Sequence, residues 1–198
     1  MEEKSAFDIL IENLIDLGFT PESNASYKPF TQPGSDRFLN TKYVYCTLSD
    51  SIYFYASDSF GASNSSTFTG LYSSIQLPKE AEYKVVNKIW FDFLHPKKKK
   101  SGVKYVDENV TILSSNWIPD KELSKENIEL FLHINKTGKP YSLIVENNYL
   151  PRCEILKGKK IIGIETTSWI YKKDELKKFI ALGKALITNI KNVATMKF

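Results

Sequence analysis

The side chains best suited to covalent chemistry in this chain are two cysteines, Cys46 and Cys153, and two histidines, His95 and His133. A thiolate is a strong nucleophile, but at neutral pH it needs a neighbouring base or cation in order to form. Cys153 follows Arg152, a cation that would lower a thiol pKa at an exposed site. With His133 and an acid such as Glu146 brought beside it by folding, Cys153 would complete a dispersed nucleophile, base and acid set. Cys46 lies instead within an apolar strand pattern, where a thiol behaves as a small hydrophobe. The histidines belong to no HxH or HExxH spacing and the cysteines to no CxxC pair, so no metal site is expected. GxSxG, GxxxxGK[ST] and GxGxxG are all missing, which removes the usual signals for a serine elbow, a phosphate cradle and a nucleotide cofactor. Ser101-x-x-Lys104 matches SxxK, but it sits in a lysine-rich loop without companion motifs.

Residues suited to binding are more numerous. Tyr43, Tyr45, Tyr53 and Tyr55 alternate along two adjacent apolar segments, and each offers a flat ring with a hydroxyl tip. Such a face suits a protein partner or a small-molecule ligand. The second set is basic: Lys97, Lys98, Lys99 and Lys100 in one run, with Lys177, Lys184 and Lys191 repeating every seven residues near the end. Such a stripe suits phosphate or an acidic lipid surface, or is the wet side of a core helix. From Lys157 to Phe198 ten lysines face only Glu165, Asp174 and Glu175, against a net charge of +4 for the whole chain. Arginine, the residue that forks onto guanine or phosphate, occurs only as Arg37 and Arg152. Nonspecific nucleic-acid binding through lysine, with tyrosines stacking on bases, is therefore the weaker binding reading.

These residues need a scaffold, and 198 residues with 42% apolar content suit one domain spanning 1–198. Ser5 with Asp8 opens an amphipathic helix whose stripe is Phe7, Leu10, Ile11, Leu14 and Ile15, closed by Gly18 and Pro21. Residues 22–36 read as loop. Residues 43–46 and 52–55 read as a hairpin in which Cys46 opposes Phe54, Tyr45 opposes Tyr55 and Leu48 opposes Ile52. That register sends Val44, Cys46, Leu48, Ile52, Phe54 and Ala56 to one face and the tyrosines to the other. Residues 57–66 read as a flexible loop, 67–77 as a third strand, and 96–102 as an exposed lysine loop. The segment 83–94 fits either a helix, through Val86, Trp90 and Phe93, or a strand followed by a turn.

Further on, 110–114 is a predicted strand, with Asp107 and Glu108 in a turn before it. Ser124 caps a middle helix, with Leu123 and Ile128 placed as its hydrophobic staple, and Thr137 to Pro140 stop it. Segments 141–146 and 160–166 are predicted strands, with a short one near Glu154. A final amphipathic helix runs over 174–191. Clustered strands with short connections give an α+β class, with an antiparallel or mixed sheet carrying N-terminal, middle and C-terminal helices. The acidic opening Met1 to Ser5 is unlike a secretory leader, and two lone thiols suit a reducing compartment, so a cytosolic chain is expected. The leading functional expectation is a non-enzymatic binding or interaction domain that needs no cofactor and uses the tyrosine face. A homodimer through that sheet face would cover any aromatic surface left bare.

Overall fold

The computed structural model describes residues 4–27, 40–60, 65–88, 90–119, 121–136, 138–148 and 154–195. Its first element, α1 (Ala6–Asp16), begins where Ser5 Oγ accepts the Asp8 N–H at 3.3 Å. It ends where Gly18 takes a left-handed φ of 87°. The Gly18 and Phe19 N–H groups then donate back to the Ile15 and Leu14 carbonyls, which satisfies the free end of the helix.

An antiparallel meander follows: β1 (Glu22–Tyr27), β2 (Asn40–Ser49), β3 (Ile52–Phe60) and β4 (Ser65–Ser74). Two loop expectations fail in their described parts, residues 28–36 of the first and 61–64 of the second lying outside the described residues. The polar run after residue 21 supplies β1, an edge strand whose residues 22–26 are exposed. An edge strand is recruited by the backbone groups of its neighbour and needs no apolar alternation. The serine-rich stretch after residue 56 continues β3 and opens β4, with Asp58 opposite Thr67 and the Thr67 hydroxyl donating to the Asp58 carboxylate at 2.6 Å.

The β2–β3 register pairs Cys46 with Phe54 and Tyr45 with Tyr55, as expected, but Ser49 and not Leu48 pairs with Ile52. The turn is one residue shorter than expected, and a bulge between Thr47 and Ser49 absorbs the difference. Leu48 consequently still points into the core.

The ambiguous segment resolves as β5 (Tyr83–Asn87) followed by a 3-10 turn, Asp92–Leu94. The lysine loop is not wholly loop: Lys98–Lys99 form β6, a two-residue edge strand. Next come a short helix that the sequence reading missed, α2 (Lys104–Asn109), then β7 (Val110–Leu113) and α3 (Lys125–Asn135). Asp107, expected in a turn, lies in α2 and accepts from the Ser101 and Gly102 N–H groups. The Ser124 cap forms as predicted, accepting the Asn127 N–H. Last are β8 (Ser142–Asn147), a 3-10 turn at Glu154–Leu156 where a short strand was expected, β9 (Lys160–Thr166) and α4 (Lys173–Thr195).

The nine strands form one antiparallel sheet in the order β1-β2-β3-β4-β9-β8-β5-β7-β6. The class is α+β, with helices at the N-terminus, middle and C-terminus, and the mixed alternative is set aside. One face, carrying Val44, Cys46, Phe54, Leu71, Val85, Ile162 and Ile164, packs beneath the helices. In α4 the buried stripe is the expected one, Leu176, Phe179, Ile180, Gly183, Leu186, Ile187 and Ile190, extended by Ala194. Burying each large apolar side chain of this kind contributes about 1.5–3 kcal/mol.

The opposite face is an aromatic layer: Tyr53, Tyr55 and Tyr72 are buried with Ile144, Leu156 and Ile161, and Tyr43, Tyr45 and Phe68 pack around them. Tyr72 lies across two glycines. A Cβ on Gly163 would fall 2.5 Å from its ring, and one on Gly70 would fall 2.4 Å from its hydroxyl. The small residues form a floor on which the ring lies down, and its hydroxyl then donates to Glu165 at 2.9 Å.

Because the ring cannot move aside without leaving this floor, Gly163→Ala should lower stability by about 1–3 kcal/mol, the usual cost of overpacking. Tyr72→Leu in the Gly163→Ala background should recover part of the loss. Urea unfolding of the single and double variants measures both, and additive losses would remove the proposed contact.

Candidate interaction surface

Of the residues expected to do covalent chemistry, Cys153 lies outside the described residues, together with Arg152. Cys46 is buried, and desolvation pushes its thiol up to about 12. His133 is exposed on α3 and lines a groove with Lys88 and Tyr105. Glu146 lies on β8, in a cleft of about 610 Å³ shared with Glu82, Lys84, His95 and Lys97. The fold therefore gives His133 and Glu146 to different cavities. Among the described residues no cluster of three or more His, Cys, Asp or Glu side chains could hold a metal ion. Burial raises the Glu146 carboxyl to about 7, with Glu165 and Glu82 reinforcing the shift and Lys84 and Lys160 opposing it.

The tyrosines stack as the alternation requires. Tyr43 lies on Tyr55 at 6.4 Å and Tyr45 on Tyr53 at 6.0 Å, each pair 13° from parallel. These are the diagonal neighbours of the ladder, brought together by strand twist. Tyr53 and Tyr55 are buried, and Tyr43 and Tyr45 are half-buried. The inner half of this face is thus enclosed within the chain itself, which narrows what a ligand or a second copy could touch.

The seven lysines divide in the same way. Lys97, Lys100 and Lys177 are exposed, and Lys99 is half-buried. Lys98 is held in an ion pair. Lys184 reaches the Leu48 carbonyl at 3.4 Å, and Lys191 donates to Ser51 Oγ at 3.0 Å and Ser73 Oγ at 2.7 Å. The C-terminal stripe was expected opposite the apolar face. Lys184 and Lys191 flank that face instead, and their long stems run down to the β2–β3 turn. Lys191 beside two serines has the composition of a lysine–serine dyad. Ser73 is, however, fully enclosed, and its hydroxyl hydrogen is committed to the Ser51 carbonyl, so the group latches helix to hairpin.

A feature the sequence reading did not single out is the connection from β5 to β6. Trp90 is 80% exposed, and Phe91, Phe93 and Leu94 are each more than half exposed. The Trp90 and Phe91 rings meet edge to face at 4.5 Å. At the centre of this apolar turn sits a buried acid, Asp92, with 5% of its surface exposed. Its carboxylate accepts from Lys98 Nζ at 2.6 Å and from the Thr111 hydroxyl. These two hydrogen bonds hold its pKa below the ordinary 3.8. Backbone bonds from Leu94 to Phe91, from His95 to Asp92 and from Lys98 to His95 close the turn. The acid acts as an anchor: it holds the turn by its polar centre and leaves the apolar side chains facing outward.

Basic residues adjoin the turn. Lys88, Lys98, Lys99, Lys100 and Lys104 line a groove of about 310 Å³ together with Asp107 and Glu108. Both acids are engaged, Asp107 with the Ser101 and Gly102 N–H groups and Glu108 with Lys104 at 3.9 Å. The sequence held a signal for this surface, since Trp-Phe-Asp-Phe-Leu precedes a four-lysine run, but an apolar run is ordinarily buried. No protein-family model, curated protein or solved structure matches the chain.

Two outcomes test these electrostatics. Asp92→Ala leaves Lys98 and Thr111 without their acceptor and should cost about 2 kcal/mol at neutral pH. Because the folded-state pKa is depressed, this contribution is present above 3.8 and is lost as pH falls through the lowered value. Denaturant unfolding at pH 7 and near pH 3 should show the difference closing, and a constant gap would assign the loss to packing. Glu146 has the opposite sign. Its carboxyl is raised from 4.5 to about 7, so folding is progressively penalised as pH rises through that window, and fully so above it. Glu146→Gln should remove this slope and melt higher than wild type near pH 8, as read by thermal scans across the window.

Proposed function

We propose that this chain is a non-enzymatic, cytosolic binding domain whose docking element is the Trp90–Leu94 turn. The observation that carries the reading is the exposure of four large apolar side chains in one anchored turn. Leaving such residues in water forgoes hydrophobic stabilisation, and a contiguous exposed patch marks an interaction site. Tryptophan is the residue most enriched where binding energy concentrates. The anchor supports the reading further, because a turn already held in shape loses little conformational freedom on docking. In this reading the tyrosine layer is scaffold at its inner positions, and its half-buried members, Tyr43 and Tyr45, are open to contact. Among the described residues no helix is long and apolar enough to cross a membrane.

The paired substitution Trp90→Ser and Phe93→Ser separates a docking role from a structural one. It should leave the melting temperature unchanged or slightly higher, since neither ring belongs to the core. It should also shorten retention on a hydrophobic-interaction column relative to wild type. A melting temperature several degrees lower, about what a 1 kcal/mol loss produces, would make the turn structural and overturn the proposal. Unchanged retention would mean the patch is not open to solvent.

A further inference from the structure

Resting on the docking role of the Trp90–Leu94 turn, we infer that its partner is the surface of an anionic phospholipid bilayer. Two observations on adjacent elements carry this. The first is the composition of the projecting turn, where Trp90 and Phe91 stand beside Phe93 and the aliphatic Leu94. Indole and phenyl rings settle at the headgroup level of a bilayer, and leucine continues into the acyl region. The second is the lysine groove, which shares Lys98 with the anchor of the turn. After Lys98 has paired with Asp92 and Lys104 with Glu108, Lys88, Lys99 and Lys100 stand against the one remaining carboxylate, Asp107, and the groove stays net positive. Lipid phosphates and serine headgroups at the depth of an inserted turn would meet these ammonium groups. Lysine suits that role, because its stem lies along apolar surface while its charge stays in water.

The alternatives fit these residues less well. The core of a protein–protein interface is depleted in lysine, whereas here five lysines line the groove that shares Lys98 with the anchor of the turn. A nucleic-acid site favours arginine forks on phosphate and base edges, and no arginine stands in the turn or among the described residues of the groove. The cytoplasmic leaflet is the anionic one, in keeping with a cytosolic chain.

The test is sedimentation of the full chain with phosphatidylcholine vesicles, with and without phosphatidylserine, alongside tryptophan emission. The expected result is co-sedimentation with the phosphatidylserine vesicles and a blue shift of emission that is absent in Trp90→Phe. Trp117 and Trp169 are half-buried and distant in sequence from the turn, so that variant assigns the shift to Trp90. The Trp90→Ser, Phe93→Ser variant and the Lys99→Glu, Lys100→Glu variant should each lower the partition coefficient by about tenfold or more. Both pairs are solvent-facing or on the edge strand, and circular dichroism of each variant confirms its fold. Failure to sediment with phosphatidylserine vesicles would overturn the inference, as would binding indifferent to both variants. If the column experiment shows an open patch while vesicles do not bind, the lipid partner falls and the docking role stands. If the patch is closed as well, both fall.

Discussion

The contact on which the rest of this fold depends is the seat of α4 on the seam between β4 and β9. Those two strands join an N-terminal meander to the second half of the chain, and the seam pairs residues as far apart as Thr69 and Thr166. Closing so long a loop has a large entropic cost, and the pairing alone does not repay it. The helix covers the seam at Gly183, where an added Cβ would lie 2.6 Å from Leu71 and 3.2 Å from Ile164. The missing side chain lets the helix axis approach the sheet, and the large residues on either side then reach both halves of it. Polar ties fix the direction: Lys191 and Lys184 hold the β2–β3 turn, and Asn13 of α1 donates to the Tyr171 carbonyl at 2.7 Å just before α4.

With the helices gathered on one face, the other must exclude water by its own side chains. It does so mainly with rings, joined by Ile144, Leu156 and Ile161. Stacked tyrosines cover one another, and Tyr72 on its glycine floor covers the width of two strands. Among the described residues of this layer, Leu156 is the member that comes from outside the strands. A flat aromatic layer is thus a physical alternative to a second helical layer, and it places phenolic hydroxyls and carboxylates such as Glu165 at the boundary with solvent.

The β5–β6 connection obeys the opposite logic. Elsewhere apolar residues hold an element in place and polar ones face water. Here a desolvated aspartate, neutralised by Lys98 and bonded to Thr111, holds the element while tryptophan and phenylalanine face outward. A turn this apolar would collapse onto the nearest hydrophobic surface if its centre were free. Local departures of this kind from the burial rule are where functional surfaces are expected.

The amino-acid sequence by itself determined the α+β class, both capped helices, the buried stripe of α4, the facing residues of the β2–β3 hairpin and the absence of familiar catalytic motifs. All of these rest on periodicity or on capping groups within a few residues of one another, and such local rules are written in order along the chain. It did not disclose the edge strands β1 and β6, because edge pairing draws on backbone groups common to every residue, nor the polar ends of β3 and β4 or the short helix α2. Nor did it locate the candidate surface. Val86, Trp90 and Phe93 match a buried helical stripe as well as they match an exposed turn. Only the tertiary structure decided between them, because the outcome turns on Asp92 meeting Lys98 from β6 and Thr111 from β7. That meeting joins polar groups six and nineteen residues apart across three elements, and it leaves no periodic trace in the order of residues.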